Sequence, residues 1–149
     1  SESPCYIVAH SLGSIYAFDV VNELIAETKL FDRASRRTWP VQGLVTLGSP
    51  IGLAMFNNSR PKLSSLGPGN KLLRWLNYWD VNDPVVSGKV FGQTLTRDKI
   101  AESYQMADPN LGWVIRDSKV DTGKFWLMAH TEYWNNPMVG DGLFDLITH

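Results

Sequence analysis

The sequence contains a single cysteine, Cys5, among its 149 residues. One cysteine cannot close an intramolecular disulfide or provide a cysteine-based zinc site. Cys5 lies in an apolar run, so we expect a small buried core residue rather than a catalytic thiol. The chain also has little net charge, −1 from 14 basic and 15 acidic residues. Its electrostatics therefore give no reason to expect nucleic acid or an acidic membrane surface as a partner.

Longer patterns are missing as well. No apolar stretch approaches the length of a membrane-spanning helix, so we expect no transmembrane segment. Neither G-x-G-x-x-G nor G-x-x-x-x-G-K-[ST] follows a predicted strand, which argues against a nucleotide-binding domain. The chain begins with Ser and almost directly on a strand, with no signal peptide. We therefore expect residues 1–149 to be one domain or part of one, cut from a longer chain, and the compartment cannot be predicted.

Three apolar segments predict the strands of a sheet. They are CYIVA at 5–9, VQGLVTL at 41–47 and KLLRWLNYW at 71–79. The first two are continuous and rich in β-formers, so we expect them to be buried on both faces. A helical stripe lies between them, made of Ile15, Phe18, Val21 and Ile25. Strands separated by helices predict an α/β fold with a mostly parallel sheet flanked by helices.

The pattern weakens from residue 85 onward. Short strands are predicted at 90–96 and 113–115. FWLMA at 125–129 is again apolar and resembles a strand. A last helix is predicted from Pro137, because Val139, Leu143 and Leu146 fall on one side.

The segment Ala9-His10-Ser11-Leu12-Gly13 lies between a predicted strand and a predicted helix. This context is typical of a nucleophile elbow, in which a sharp, strained turn exposes a serine hydroxyl at the edge of a sheet. Small residues are required two positions before and after the serine, and Ala9 and Gly13 meet this need. The Leu12 amide would donate to a developing oxyanion at the N-terminus of the helix. The alternative is that Ser11 is an ordinary N-cap.

A serine nucleophile requires a base, and the chain has three histidines. His10 adjoins Ser11, and its side chain is expected to point away from the serine and to be structural. His149 is the last residue. His130 follows an apolar run and is the candidate base.

The base in turn requires a carboxylate. After a nucleophile elbow the partners come in the chain order serine, acid, histidine, so the acid is sought after a strand and before His130. Asp83 is favoured because Pro84 fixes the turn directly after it. Asp80, whose carboxylate we expect to cap its own turn, stays open as an alternative. Asp117 and Asp121 are more distant candidates.

Four motifs occur in order: VAHSLGS at 8–14, TLGSPIGL at 46–53, DVNDPVV at 80–86 and AHTEYW at 129–134. Together they resemble the α/β-hydrolase superfamily, in particular lipase-like serine esterases. The resemblance covers nearly the whole chain and implies the C-terminal half of such a fold, from the elbow onward. It implies Ser11 as nucleophile, Asp83 as acid and His130 as base. Carboxylic esters are the implied substrates, with an acyl-enzyme and neither metal nor cofactor.

Two features depart from that family. Nothing in the chain matches its first strands or the loop that supplies the second oxyanion amide, so the missing half or a second copy is an expected partner. The 47 positions between Asp83 and His130 exceed what one strand and two turns need, which predicts a lid, a substrate-binding insertion or a plain surface insertion. The rival hypothesis is a non-catalytic relative or fragment that binds a partner. Six tryptophans are expected in core packing rather than in an acyl pocket: Trp39, Trp75, Trp79, Trp113, Trp126 and Trp134.

Overall fold

The computed structural model describes residues 3–28, 41–58, 74–92 and 114–149. Within these ranges the chain forms a four-stranded sheet in the order β1-β2-β3-β4. The strands are β1 Cys5–His10, β2 Val41–Leu47, β3 Arg74–Trp79 and β4 Val114–Lys119. Each strand is parallel to its neighbour. The predicted α/β class, with a parallel sheet flanked by helices, is confirmed.

The helices of the described residues connect and flank these strands. They are α1 Gly13–Thr28, α2 Ala54–Asn57, α3 Leu127–Thr131 and α4 Pro137–Thr148, with 3₁₀ turns at Pro50–Gly52, Lys89–Phe91 and Glu132–Asn135. The predicted last helix is confirmed. It begins at Pro137 because the Asn136 side chain accepts a hydrogen bond from the Met138 amide and proline suits the first helical position. None of the helices in these ranges is long and apolar enough to cross a membrane.

Successive residues of a strand point to opposite sides, so the sheet presents two faces. Helices pack on both of them. On one face Phe18 of α1 contacts Trp75 of β3, with ring centroids 5.3 Å apart. On the other face α4 packs closely enough that a Cβ at Gly43 would lie 2.8 Å from a methyl carbon of Leu146. The core of this second face joins strand and helix residues: Val45, Leu47, Leu76, Tyr78, Val120, Tyr133, Val139 and Leu146.

A row of polar side chains crosses the middle of the sheet. Thr46 of β2 pairs in register with Asn77 of β3, which pairs with Asp117 of β4. The Thr46 hydroxyl donates to the Asn77 side-chain oxygen at 2.7 Å, and the Asn77 amide nitrogen donates to Asp117 at 2.8 Å. Thr46 and Asn77 are fully buried, so these bonds replace the water that each group loses on folding.

The prediction that the first strand is buried on both faces is wrong. Residues of β1 are half-buried or exposed, and Val8 is 38% exposed. Cys5 is exposed, so its predicted place in the core is wrong as well. The physical reason is the position of β1, which among the described strands pairs only with β2 and lies at the edge of the sheet.

The strand predicted at 125–129 is also wrong, and the one predicted at 90–96 is wrong over its described residues, 90–92. The 125–129 run enters α3 instead, because the backbone turns at Trp126 with φ 59° and ψ −141°, and the run from Phe125 to Met128 is exposed. Lys89–Phe91 is a 3₁₀ turn bracketed by glycines with positive φ, while residues 93–96 lie outside the described ranges. The strand predicted at 113–115 is found as β4, which begins at Val114; residue 113 is not described.

Candidate active site

Ser11 occupies the turn between β1 and α1 with φ 57°. A positive φ costs a non-glycine residue about 1–3 kcal/mol and persists only where surrounding bonds hold it. The Ser11 amide donates to the carbonyl of Leu47, the last residue of β2, at 2.9 Å. The Ser11 carbonyl accepts from the Ser14 amide at 3.0 Å and lies 2.5 Å from the Ser14 hydroxyl. The elbow is therefore tied to the neighbouring strand on one side and to the first turn of α1 on the other.

His130 lies between Ser11 and Asp83. Its Nε2 is 2.7 Å from the Ser11 hydroxyl oxygen, and its Nδ1 is 2.8 Å from Oδ2 of Asp83. Since a carboxylate only accepts, Nδ1 carries the proton in this arrangement. Nε2 is then the nitrogen with a lone pair that can accept the serine proton. The histidine side chain is 12% exposed and the aspartate side chain is fully buried.

Three donors surround the Asp83 carboxylate. Oδ1 accepts from the Val85 amide at 2.9 Å, while Oδ2 accepts from His130 and from the Tyr133 hydroxyl, the latter at 2.8 Å. A buried charge is tolerated when it is hydrogen-bonded in this way. The carboxylate is therefore held in its turn by the backbone and directed at His130 by Tyr133.

The structure separates Asp83 from the other candidate acids. Asp80 accepts from the amides of Asn82 and Thr122, both at 2.8 Å, and from the Thr122 hydroxyl at 2.7 Å. Asp117 belongs to the polar row of the sheet, and Asp121 accepts from the amide of Gly123. Among these four carboxylates, Asp83 is the one brought to His130.

Tyr133 is a member of this site that the sequence analysis did not identify. It is fully buried, and its hydroxyl accepts from the Asp80 amide at 2.9 Å while donating to Asp83. Burial raises the pKa of Tyr133 well above its ordinary value, and the negative charge of Asp83 and the bond to it raise the pKa further. The phenol therefore remains a donor to the carboxylate. A tyrosine three positions after His130 carries no recognisable signal in the sequence.

Gly48 is the second member that was not identified. It follows β2 with φ 56°, and its amide donates to the Tyr78 carbonyl at 3.0 Å. A Cβ at this position would lie 2.8 Å from Oδ2 of Asp83 and 3.0 Å from Nδ1 of His130. Only glycine leaves room for the bond between these two side chains. In the sequence Gly48 resembles an ordinary turn residue that ends a strand.

The remaining predicted residues lie as follows. Leu12 comes directly after Ser11, and its side chain is 45% exposed. Its role as an oxyanion donor stays a prediction. His149 lies at the far end of α4, its Nδ1 3.4 Å from an Asp145 oxygen, away from the serine. His10, expected to be structural, packs against the ring of His130 with 4.5 Å between centroids.

Comparison of the chain with protein-family models, with curated proteins and with solved structures found no match. Within the described ranges no cluster of three or more histidine, cysteine and carboxylate side chains has the geometry to hold a metal ion. The chemistry available at the site is that of its own groups. They supply a hydroxyl, a base and a buried acid in hydrogen-bonded series.

Proposed function

We propose that this chain belongs to the α/β-hydrolase superfamily, as the C-terminal half of such a fold, and is a lipase-like serine esterase. One observation carries the proposal. The hydrogen bonds from Ser11 to His130, 2.7 Å, and from His130 to Asp83, 2.8 Å, form an unbroken series that begins on a serine with positive φ. A serine, a histidine and a buried acid in this order are the groups that acyl transfer requires.

The reaction would begin with the Ser11 hydroxyl and a carboxylic ester. Nε2 of His130 takes the hydroxyl proton as Oγ attacks the ester carbonyl. The oxyanion that forms accepts from the Leu12 amide at the N-terminus of α1. His130 then gives its proton to the leaving alcohol as the carbon–oxygen bond breaks, which leaves the acyl group on Ser11.

Hydrolysis of the acyl-enzyme uses the same groups. His130 removes a proton from water, the resulting oxygen attacks the acyl carbonyl, and the proton returns to Oγ as the carboxylic acid departs. In both steps His130 becomes a cation, and the buried carboxylate of Asp83 stabilises it at 2.8 Å. Asp83 itself exchanges no proton in either step, and its three donors keep the carboxylate oriented toward His130.

A second candidate function is a partner-binding module without activity. The observation that favours it is an apolar face exposed along α1 and the residue before it, while β1 pairs only with β2 among the described strands. That face carries side chains at a spacing of four: Leu12, Tyr16, Val20 and Leu24, between 38% and 73% exposed. A second copy of the chain or another protein with an apolar surface would be the partner. The two functions differ in whether Ser11 is chemically activated.

The first prediction addresses that difference with a fluorophosphonate probe, which phosphonylates activated serines with loss of fluoride. We expect a single adduct at Ser11 by intact mass and peptide mapping, none in Ser11→Ala, and an unchanged rate in Ser3→Ala at an exposed serine. His130→Ala should slow labelling by at least about 10³-fold, since the base is lost. A folded chain that does not label contradicts the esterase proposal and favours the binding module.

A further inference from the structure

His10 is the last residue of β1 and directly precedes Ser11. Its Nε2 lies 2.5 Å from the backbone carbonyl oxygen of His130, 120 positions along the chain. Because a carbonyl oxygen only accepts, Nε2 of His10 is the protonated nitrogen and donates this bond. The residue next to the serine is thereby connected directly to the backbone of the residue that carries the base.

The ring of His10 also lies against the imidazole of His130. The two centroids are 4.5 Å apart and the planes are tilted by 32°. The same ring lies 6.3 Å from the rings of Tyr133 and Trp134. His10 therefore occupies the space beside the base, where it opposes rotation of the His130 ring away from Ser11.

On its N-terminal side His130 has fewer anchors than on its C-terminal side, where the buried Tyr133 bonds both Asp80 and Asp83. His130 belongs to α3, a helix of 5 residues whose N-cap, Trp126, makes no side-chain capping bond. The residues that lead into this helix are exposed, and Ala129 is its one buried residue. β1, in contrast, is held in the sheet, where His10 pairs with Leu47. The bond from His10 therefore joins the residue that carries the base to the end of β1.

We infer that His10 is a positioning residue for the reaction proposed above, on which the inference rests. Its bond to the His130 carbonyl and its ring together keep Nε2 of His130 within reach of the Ser11 hydroxyl. A misplacement of about 1 Å at a reacting group costs about 100-fold in rate, so the bond from His10 adds to the positioning that Asp83 and Tyr133 provide. His10 does not touch the reacting atoms.

Three substitutions separate the bond from the ring. His10→Gln places a neutral amide donor near the position of Nε2, His10→Phe keeps a ring without a donor, and His10→Ala removes both. We expect the rate of fluorophosphonate labelling at Ser11 to fall about 10- to 100-fold in His10→Phe and at least as far in His10→Ala. His10→Gln should stay within about 3-fold of the unsubstituted chain. His149→Phe, at an exposed histidine, is the matched control and should label normally.

Steady-state hydrolysis of p-nitrophenyl acetate adds a readout that a merely structural role would not move. We expect His10→Phe to lower kcat with little change in KM, because the base is displaced while the substrate contacts remain. A second, activity-independent readout is the NMR resonance of the proton on Nδ1 of His130. It should broaden by exchange in His10→Phe and persist in His10→Gln.

The outcomes distinguish this inference from the proposed function. Labelling of Ser11 at the normal rate in all three variants overturns the positioning role and leaves the esterase proposal standing. Equal loss of labelling and of thermal stability in all three, His10→Gln included, also overturns it, since His10 would then serve folding alone. If the unsubstituted chain does not label, the esterase proposal fails, and the Nδ1 resonance still decides whether His10 holds His130 in place.

Discussion

Two non-glycine residues among the described ranges have positive φ, Ser11 and Trp126. The conformation of Ser11 is supported by bonds from Leu47 and from the first turn of α1, and it directs the hydroxyl at His130. Trp126 is 58% exposed and has no capping bond to α3. Strain at a residue therefore indicates function only where the side chain also meets a chemical partner.

Tyr133 shows how a single buried hydroxyl connects two turns. It bonds the amide of Asp80 and the carboxylate of Asp83 at the same time. Loss of this hydroxyl would leave the amide without its acceptor and the carboxylate with one donor fewer. Both groups are buried, so neither bond can be replaced freely by water.

The third prediction concerns Tyr133→Phe and alkaline pH. Because burial and Asp83 raise the pKa of Tyr133 above 10.0, the folded chain keeps a proton that the unfolded chain releases above that pH. The stability associated with this proton is fully present below pH 10 and falls as the pH rises further. We expect Tyr133→Phe to lower the free energy of unfolding by about 1–3 kcal/mol at neutral pH, and to weaken the alkaline decline.

Urea unfolding between pH 8 and pH 11 measures both effects. Tyr16→Phe is the matched control, because Tyr16 is an exposed tyrosine of α1 that is 73% accessible. It should leave the neutral stability and the alkaline decline unchanged. An alkaline decline that is equally steep with and without the Tyr133 hydroxyl would contradict the account, since burial of this phenol would then not be linked to folding.

At the scale of elements, the residues of the site lie just beyond the carboxyl ends of the parallel strands. Ser11 follows β1, Gly48 follows β2 and Asp83 follows β3 at one edge of the sheet. Residues beyond the carboxyl ends of neighbouring parallel strands meet in space, which is why open α/β sheets bind ligands there. The register of the strands therefore decides whether the hydroxyl and the carboxylate approach the same histidine.

The polar row of Thr46, Asn77 and Asp117 depends on that register. Its side-chain hydrogen bonds join residues that are paired across three strands, so they form only when the strands are correctly aligned. The fourth prediction is that Asn77→Leu lowers the free energy of unfolding by about 1–3 kcal/mol, as buried polar groups on both sides lose a partner. Asn58→Leu, at an exposed asparagine, should have little effect.

Adding Thr46→Val to Asn77→Leu provides the internal check for this row. The double variant should lose less than the sum of the two single losses, because each single change removes the same bond between Thr46 and Asn77; the Trp75 indole N–H, which donates to the Thr46 hydroxyl at 2.9 Å, loses its acceptor wherever Thr46→Val is present. Urea unfolding of the two single variants and the double variant gives the coupling between the positions. Strictly additive losses would show that the two side chains do not depend on one another.

At the scale of the whole molecule, the three candidate catalytic residues come from distant parts of the chain. Ser11 and His130 are 119 positions apart, and His130 and Asp83 are 47 apart. The segment with the base is joined to the core through Tyr133, which is buried with residues of β2, β3 and α4. The site should therefore exist only while the sheet and both helical layers are folded.

The fifth prediction follows from this assembly. The rate of fluorophosphonate labelling at Ser11 should fall with the same urea midpoint as tryptophan fluorescence, since sheet formation brings the three residues together. Denatured chain supplies the control for residual reactivity. Labelling that survives beyond the fluorescence transition would mean that Ser11 reacts without His130, and labelling lost well before it would mean that the segment with the base opens on its own.

Much of the architecture could be predicted from local patterns. A continuous apolar run predicted β2, which is buried on both faces, and periodic apolar residues predicted the helices α1 and α4, each of which buries one stripe. The residues of two turns predicted the candidate nucleophile, Ser11 between small neighbours, and the candidate acid, Asp83 before Pro84. The structure brings these two side chains to the same histidine.

The sequence by itself determined which segments are apolar and which turns carry reactive side chains, since both depend on neighbours along the chain. Only the tertiary structure decided that β1 is the edge strand of the described sheet and that residues 125–128 are exposed, because apolar composition does not specify which surface is covered. The contacts of Gly48, Tyr133 and His10 with the site were also decided there. They join residues that are far apart in the chain, and such contacts form only when the order and register of the strands bring the residues together.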